Sequence, residues 1–523
     1  MNVLLISLQE SLDTIGINYL HYYLMGNGHN SHLLHAPKFN AKDSASFNSI
    51  KDFVSDIKPG LIGFSLVSIE YHNCVVLTAF LKEHFPYIPV IWGGVHPTVN
   101  PEMSLEHADY ACIGEGELPL LEAANLMEKS EPIYNVKNLC YMKDGSIVRN
   151  PLYPYIEDLD SLPSYEYVTK KGFVLEKNGV VPVNKEVLKR NTRFLGGVYH
   201  VIATRGCPFN CAYCSNNYFA TLYGTRKLRR RSVGNVIAEL EKVVTEYPEI
   251  AYINFQDDCF LARSEEFIAE FCEEYKKKVN RPFVARGIPK YVTENKIRML
   301  KQAGFSWITV GLQSASERTN REVFKRKSSS EDFLKAAALV QKYMVAPFYD
   351  IIIDNPWETE EDVLDTVYTV MDTPRPFYLN IFSLTFYCGT ELYDRAKAEF
   401  PDAVEDYLTK DYFLYNSKEI NLIIRLAAYL KKSRTQKLLD MYKSNPDSAI
   451  FKTQLKFFRY YSGLLLEPIA IFKLVKISLG GSTIKAMKTF PRYFNEGLKR
   501  YSFQFRRRQD HDLSVKKKTY SHG

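Results

Sequence analysis

The sequence predicts an α/β protein: two successive strand–helix alternations followed by a helical, basic C-terminal region. Three observations carry this. Short apolar runs alternate with longer amphipathic ones from Val3 to Ile113, and again from His200 to Phe386. Beyond Phe413 the strand-like runs cease, and apolar helix faces with basic neighbours take over. Hydrophobic residues make up 46% and charged residues 24% of the 523, with 32 Phe, 36 Tyr and 3 Trp available for cores, which excludes a largely disordered chain.

In the first alternation, Val3–Leu8 is a buried strand, and Ile17–Met25 a helix ending at Gly26-Asn27-Gly28. Strands follow at Ser31–His35, Leu61–Val67, Pro89–Trp92 and Tyr110–Ile113, with helices at Phe47–Ile57 and Tyr71–Phe85 between them. Apolar strands separated by helices imply a parallel sheet covered on both faces, with ligands beyond the carboxyl ends of the strands. Residues from about Leu139 to Leu195 have poorer periodicity and read as a connector with a small hairpin at Asp144-Gly145.

The second alternation has strands at His200–Ala203, Tyr252–Gln256, Phe283–Arg286, Trp307–Leu312, Phe348–Ile353 and Asn380–Phe386. Helices fit at Val233–Tyr247, Glu265–Lys278, Glu294–Ala303, Ser330–Tyr343 and Glu360–Met371. Six repeats suit an open, partial (β/α)6 barrel better than a closed eight-stranded one. The expected domains are 1–138, a connector at 139–195, a core at 196–412 and a helical region at 413–523.

The N-terminus lacks a basic segment and a long apolar stretch, so it does not read as a secretory signal, and no apolar run is long enough to span a membrane. A reducing cytoplasm is the expected compartment, where clustered cysteines bind metal or do chemistry rather than pair. Charge is unevenly placed. Residues Asn421–Gly523 hold 22 Lys and Arg against 6 Asp and Glu, a net of +16, and the remainder carries −9.

Arg205-Gly206-Cys207-Pro208-Phe209-Asn210-Cys211-Ala212-Tyr213-Cys214 follows the first strand of the second alternation. Three thiolates at this spacing can wrap one corner of a cubane and leave its fourth iron open. Zinc also suits thiolates, but a structural zinc site wants a fourth Cys or His nearby, and none follows within the next forty residues.

The stretch resembles the signature of the radical S-adenosylmethionine (SAM) superfamily. The likeness continues in Phe255-Gln256-Asp257-Asp258, in Gly311-Leu312-Gln313-Ser314-Ala315-Ser316-Glu317, in Asp350–Ile353 with Glu358-Thr359-Glu360-Glu361-Asp362, and in Gly389-Thr390-Glu391-Leu392. It implies a [4Fe-4S] cluster on Cys207, Cys211 and Cys214, with SAM on the open iron. It places Tyr213, Gln256, Asp257, Arg286, Gln313 and Ser314 near SAM, and requires an electron donor such as a flavodoxin or ferredoxin.

The N-terminal part resembles the Rossmann-like cobalamin-binding domain fused to one large class of these enzymes. Gly93-Gly94-Val95-His96-Pro97-Thr98 and Gly114-Glu115-Gly116-Glu117 carry that resemblance. It implies cobalamin contacts from Ser65, Ser68, Gly93, Gly94, His96, Gly114 and Glu115. The loop Gln9–Gly16 lacks the histidine of the D-x-H-x-x-G pattern, so no lower cobalt ligand is expected from it. His21, His29, His32 and His35 are too scattered to replace it and read as solvated or capping residues.

For such a fusion the family implies reductive cleavage of SAM to methionine and a 5′-deoxyadenosyl radical, then methyl transfer from cobalamin to an unactivated carbon. The expected substrate is a small metabolite, lipid or natural-product intermediate. Cyclisation or rearrangement is the alternative, and RNA modification through the basic tail another. Cys259 and Cys388, near strand ends, read as buried thiols or as radical relays.

Leu422–Leu430, Phe457–Leu466, Ile469–Leu479 and Ala486–Leu498 are expected helices, and Arg506-Arg507-Arg508 and Lys516-Lys517-Lys518 follow. This region reads as a solvated cap, as an anchor to an anionic membrane surface at the inner face, or, least in keeping with the absence of an RNA module, as a nucleic-acid grip.

Overall fold

The computed structural model describes residues 1–404, 407–410 and 412–491. They form two compact units, Met1–Ile250 with Phe386–Thr409, and Ala251–Thr385 with the chain from Lys410 onward.

The first unit holds a nine-stranded sheet. Its strands are β1 (Asn2–Ser7), β2 (Asn30–His35), β3 (Leu61–Ser65), β4 (Val90–Gly93), β5 (Tyr110–Cys112), β6 (Leu139–Lys143), β7 (Ser146–Arg149), β8 (Gly172–Glu176) and β9 (Gly179–Pro182). The order is β7-β6-β5-β4-β3-β1-β2-β8-β9, parallel from β5 through β8 and antiparallel at the two outer hairpins. The side-chain period of two splits each strand between two cores. Leu4, Ile6, Leu34, Ile62, Phe64 and Trp92 pack under the helices Ser44–Ile57 and Tyr71–His84. Val3, Leu5, Leu33, Leu61 and Ile91 pack under Ile15–Gly26 and Glu117–Glu128. Each such buried side chain stabilises the fold by about 1.5–3 kcal/mol.

The expected connector is more ordered than its periodicity suggests. Its hairpin at Asp144-Gly145 is present, with φ of 50° and 75° that suit a two-residue turn, and it extends the sheet beyond β5. A second hairpin, β8–β9, extends the sheet beyond β2. Edge strands of four or five residues, half exposed, leave little periodic signal.

The same unit continues through β10 (Val198–Val201) to a two-stranded ribbon of β11 (Thr204–Arg205) and β12 (Arg229–Arg230), with the helix Ser215–Leu222 between them.

The second unit contains β13 (Tyr252–Phe255), β14 (Phe283–Gly287), β15 (Phe305–Gln313), β16 (Ala346–Ile353) and β17 (Tyr378–Ser383), parallel neighbours in that order. The intervening helices start where capping residues place them: Ser264, Thr293, Ser329 and Thr359 each accept a hydrogen bond from a backbone N–H of the first turn. Phe255, Phe260, Phe271, Tyr275 and Phe283 form one buried aromatic cluster between sheet and helix.

C-terminal helices span Glu419–Ala427, Lys432–Ser444, Ala449–Tyr461 and Glu467–Ser478. The second is absent from the sequence expectation, and the third begins eight residues before the expected Phe457, directly after Pro446-Asp447-Ser448. The expected helix Ala486–Leu498 lies partly outside the described residues, and the Arg506–Arg508 and Lys516–Lys518 runs wholly so.

Candidate functional site

In the first unit, Cys207, Cys211 and Cys214 lie on one loop leaving β11, all half-buried and none in a disulfide. Gly206 opens the loop at φ 93°, where a Cβ would come within 2.9 Å of the Lys227 carbonyl. Arg226 closes it from outside, donating to the Phe209 carbonyl at 3.0 Å and to Asn217 Oδ1 at 2.6 Å. Leu392 N–H donates to the Ala212 carbonyl at 3.0 Å, so the Gly389–Leu392 segment braces the same loop. Among the described residues no three Cys, His, Asp or Glu side chains are gathered as a metal site. The donor set nevertheless fits an iron–sulfur cluster: three thiols within eight residues, partly open to solvent, whereas Cys74, Cys112, Cys140, Cys259 and Cys272 are buried. Tyr213, between two of these cysteines, is half-buried.

The glycine loop after β5 docks directly onto the ribbon that frames the cysteines. Glu115 accepts from Arg229 at 2.7 and 2.9 Å and from Arg205 at 3.2 Å, and Arg205 also donates to Glu117 at 2.6 Å. Burial pushes the Glu115 carboxyl up, but the bonds and charges of Arg229 and Arg205 outweigh it and hold the group below the usual carboxylate range. The Arg229 guanidinium lies 3.8 Å from the Tyr155 ring centre, and Tyr155 stacks on Tyr223 at 3.7 Å. The Tyr223 hydroxyl accepts from the Glu115 N–H at 2.9 Å. A Cβ on Gly114, which has φ 82°, would overlap that hydroxyl. Glu115, expected beside cobalamin, thus has its carboxylate engaged by arginines flanking the cysteine loop. Arg205, Arg229 and Tyr223 carry this junction and were not singled out as site residues by the sequence pattern.

The loops after β3 and β4 meet in the same unit. Gly94 has φ 100°, and a Cβ there would lie 2.7 Å from the Leu66 carbonyl and 3.3 Å from Ser65 Oγ. His96 is fully buried, with Nδ1 3.1 Å from Ser68 Oγ and Nε2 without a hydrogen-bond partner. Burial lowers its pKa to about 4, so the ring is neutral at physiological pH. A buried, unsatisfied ring nitrogen beside backbone left bare by Gly93 and Gly94 suits a ligand rich in amide and phosphate groups, and cobalamin is one.

The other N-terminal histidines correct the expectation of solvated residues. His21 is buried between Ser31 Oγ and the Lys170 carbonyl, both at 2.8 Å. His29 is buried and meets Asn125 at 2.9 Å, and His35 is buried on β2. His32 alone is half-buried. They fall on β2, the turn before it and the helix covering it, positions that a scattered count along the chain does not expose.

In the second unit the expected SAM-side residues sit at carboxyl ends of strands. Gln256 and Asp257 follow β13, and the buried Asp257 accepts from the buried Arg263 at 3.0 Å. Arg286 is exposed within β14. Gln313 ends β15 at φ 66°, and its buried Oε1 has no partner. Ser314 donates to Glu358 at 2.6 Å, and burial raises Glu358 to a pKa of about 7. Ser316 donates to Asp362 at 2.5 Å, so the motif segments after β15 and β16 are stitched together. Cys259 is buried in this unit, its thiol pushed up to about 11 by burial. Cys388, in the first unit, donates to the Val99 carbonyl at 3.6 Å.

Residues 1–124 match the B12 binding domain model, and residues 201–369 match the radical SAM superfamily model. The chain belongs to the radical SAM enzymes that carry a B12 binding domain. Their cofactor set is a [4Fe-4S] cluster, SAM and cobalamin. An uncharacterized methyltransferase of Pyrococcus horikoshii is 24% identical over 360 residues, covering 68% of this chain and 73% of that protein. An anaerobic magnesium-protoporphyrin IX monomethyl ester cyclase of Cereibacter sphaeroides is 25% identical over 386 residues, 72% of this chain but only 58% of the cyclase. In fold, the cobalamin-dependent SAM radical enzyme OxsB is similar with a TM-score of 0.64 at 14% identity, over 99% of this chain and 81% of OxsB.

Proposed function

We propose that this B12-dependent radical SAM enzyme transfers a methyl group to an unactivated carbon of a small metabolite, lipid or natural-product intermediate. The observation that carries the reading is the docking of the Gly114–Glu117 loop onto the β11–β12 ribbon, which ties a cobalamin-domain loop to the frame of the cysteine loop within one unit. Bound together, the three cofactors supply a radical that takes hydrogen from carbon and a methyl group to replace it. Cys207, Cys211 and Cys214 would hold the cluster and leave one iron for SAM. Ser65, Ser68, Gly93, Gly94 and His96 would line the cobalamin side, with Gly114 shaping the junction. Tyr213, Gln256, Arg286 and Gln313 would orient SAM, while Asp257 and Ser314 keep their own loops in shape through Arg263 and Glu358. The working place is the cytoplasm, with a flavodoxin or ferredoxin supplying electrons.

A second reading, radical cyclisation, is favoured by the 25% identity to the cyclase. The test is anaerobic reconstitution with iron, sulfide and methylcobalamin, followed by SAM cleavage under reduction and mass spectrometry of metabolites from cells with and without the gene. A product heavier by one methylene supports methyl transfer, and a product lighter by two hydrogens supports ring closure. Replacing all three loop cysteines with alanine should abolish SAM cleavage, and cleavage that persists would sink both readings.

A further inference from the structure

Seven large apolar side chains among the described residues are at least 60% exposed, and six of them lie between Ile450 and Met487. Four recur on one side of the helix Ala449–Tyr461 and the turn after it: Ile450, Phe457, Tyr460 and Leu464, at offsets of 0, 7, 10 and 14 residues. These offsets place them in one narrow stripe. The inner side is already satisfied, since Phe451 and Leu455 are buried. The helix therefore has two apolar faces, one packed on the protein and one turned to solvent. Ile484 and Met487 add to the outer surface, at 70% and 63% exposure.

Charge decides what covers this surface. Between Ala449 and Pro491 there are seven Lys and Arg and one carboxylate, Glu467. That carboxylate is bound by Arg425 at 2.7 Å and is 15% exposed. Asp447, just before the helix, pairs with Lys452 at 2.7 Å, so from Lys456 onward the outward charge is positive. Lys456 lies beside the apolar stripe and Arg459 further round the exposed side of the helix, where their stems can rest on apolar surface while their heads reach outward. No helix in the described residues is long and apolar enough to cross a membrane. An exposed apolar stripe bordered by cations and too short to span is built to lie in an interface.

We propose that the Ile450–Leu464 stripe, together with Ile484 and Met487, docks the enzyme on the surface of an anionic phospholipid bilayer. The lipid tails cover the stripe, and the headgroup phosphates meet the bordering lysines and arginines. The proposal goes beyond the catalytic reading and is independent of the reaction performed.

The test is flotation of the full-length protein with vesicles of phosphatidylcholine alone or mixed with phosphatidylglycerol, at low and high salt. Binding is expected only to the anionic vesicles and is expected to weaken with salt. The triple variant Ile450→Ser/Phe457→Ser/Leu464→Ser should lower partitioning by about tenfold or more. The variant Lys456→Glu/Arg459→Glu should lose the preference for anionic vesicles. Circular dichroism and SAM cleavage, unchanged in both, show that the fold is intact, and the binding assay itself needs no cofactor. Absence of binding to anionic vesicles at low salt overturns the proposal, as does equal binding by wild type and the stripe variant. A concentration-dependent dimer that the stripe variant abolishes, without vesicle binding, would assign the surface to a second copy. Retention of RNA lost on the same substitutions, again without vesicle binding, would assign it to nucleic acid.

Discussion

Arg229 grips Glu115 with both ends of its guanidinium, at 2.9 Å to Oε2 and 2.7 Å to Oε1, across 114 positions of sequence. The arginine sits on β12, which frames the cysteine loop, and the carboxylate lies in the glycine loop after β5. Each ion is partly or fully withdrawn from water, with side-chain exposures of 3% and 18%. Such a pair fixes geometry more than it adds net stability, but losing one member leaves the other charge uncompensated.

Glu115→Ala should therefore destabilise the fold by about 3–5 kcal/mol, measured by urea unfolding, and should impair retention of cobalamin and of the cluster together. The double variant Glu115→Leu/Arg229→Met should be less destabilised than either single charge deletion, because no lone ion remains. The carboxyl of Glu115 is depressed in the folded state. Its contribution is thus complete above the ordinary carboxylate range and is lost as pH falls through the folded value. An acid-limb titration of stability should show that component missing in Glu115→Gln.

Glu358 gives the opposite sign. Its folded pKa of about 7 is above the ordinary glutamate value of 4.5, so the folded protein binds a proton that the unfolded chain releases. Stability from this group is complete below about pH 4.5 and falls as pH rises towards 7. Glu358→Gln, which can still accept from Ser314, should remove that decline, read as the pH dependence of the thermal midpoint. An unchanged slope would mean that Glu358 is ionised across the range.

Gly114 and Gly145 separate backbone strain from steric conflict. Both have positive φ, 82° and 75°, but a Cβ at Gly145 meets nothing within 4 Å, whereas one at Gly114 overlaps Tyr223. Gly145→Ala should cost about 1 kcal/mol from backbone conformation alone. Gly114→Ala should cost more, by about 1–3 kcal/mol, because Tyr223 must move and Tyr155 and Arg229 stack behind it. Equal losses in urea unfolding would show that the Tyr223 contact yields freely.

The strands and helices of both alternations were legible because each carries its own period: Glu265–Lys278 has an apolar face, and Leu61–Ser65 a continuous apolar run. The motif loops were legible because glycines and cysteines are local. The Glu115–Arg229 fork was not, since nothing near Glu115 in sequence indicates a partner on β12. The hairpin Gly172–Pro182 was missed because an edge of the sheet buries only one side of so short a strand. The buried histidines were misread because their hydrogen bonds join separate parts of the chain, as His21 does with Lys170. The exposed stripe at Ile450, Phe457 and Leu464 shares its helix with a buried one, and an apolar count does not distinguish the two.

The nine cysteines offer a test of the candidate cluster site that requires no turnover. Cys207, Cys211, Cys214 and Cys388 are half-buried, and the other five are buried. Burial raises the thiols of Cys112 and Cys272 to about 12 and that of Cys259 to about 11, which leaves almost no thiolate at neutral pH. In cofactor-free protein under anaerobic, native conditions, a brief iodoacetamide pulse should therefore modify the loop cysteines ahead of the buried five, as read by peptide mass spectrometry. Cys388 should react more slowly than the loop cysteines, since burial also raises its pKa and its thiol donates to Val99. Reconstitution with iron and sulfide should then protect Cys207, Cys211 and Cys214 while leaving Cys388 reactive. Protection of Cys388 along with them would point to a fourth ligand and a closed cluster. Continued labelling of all three loop cysteines after reconstitution would remove the loop from consideration as the cluster site.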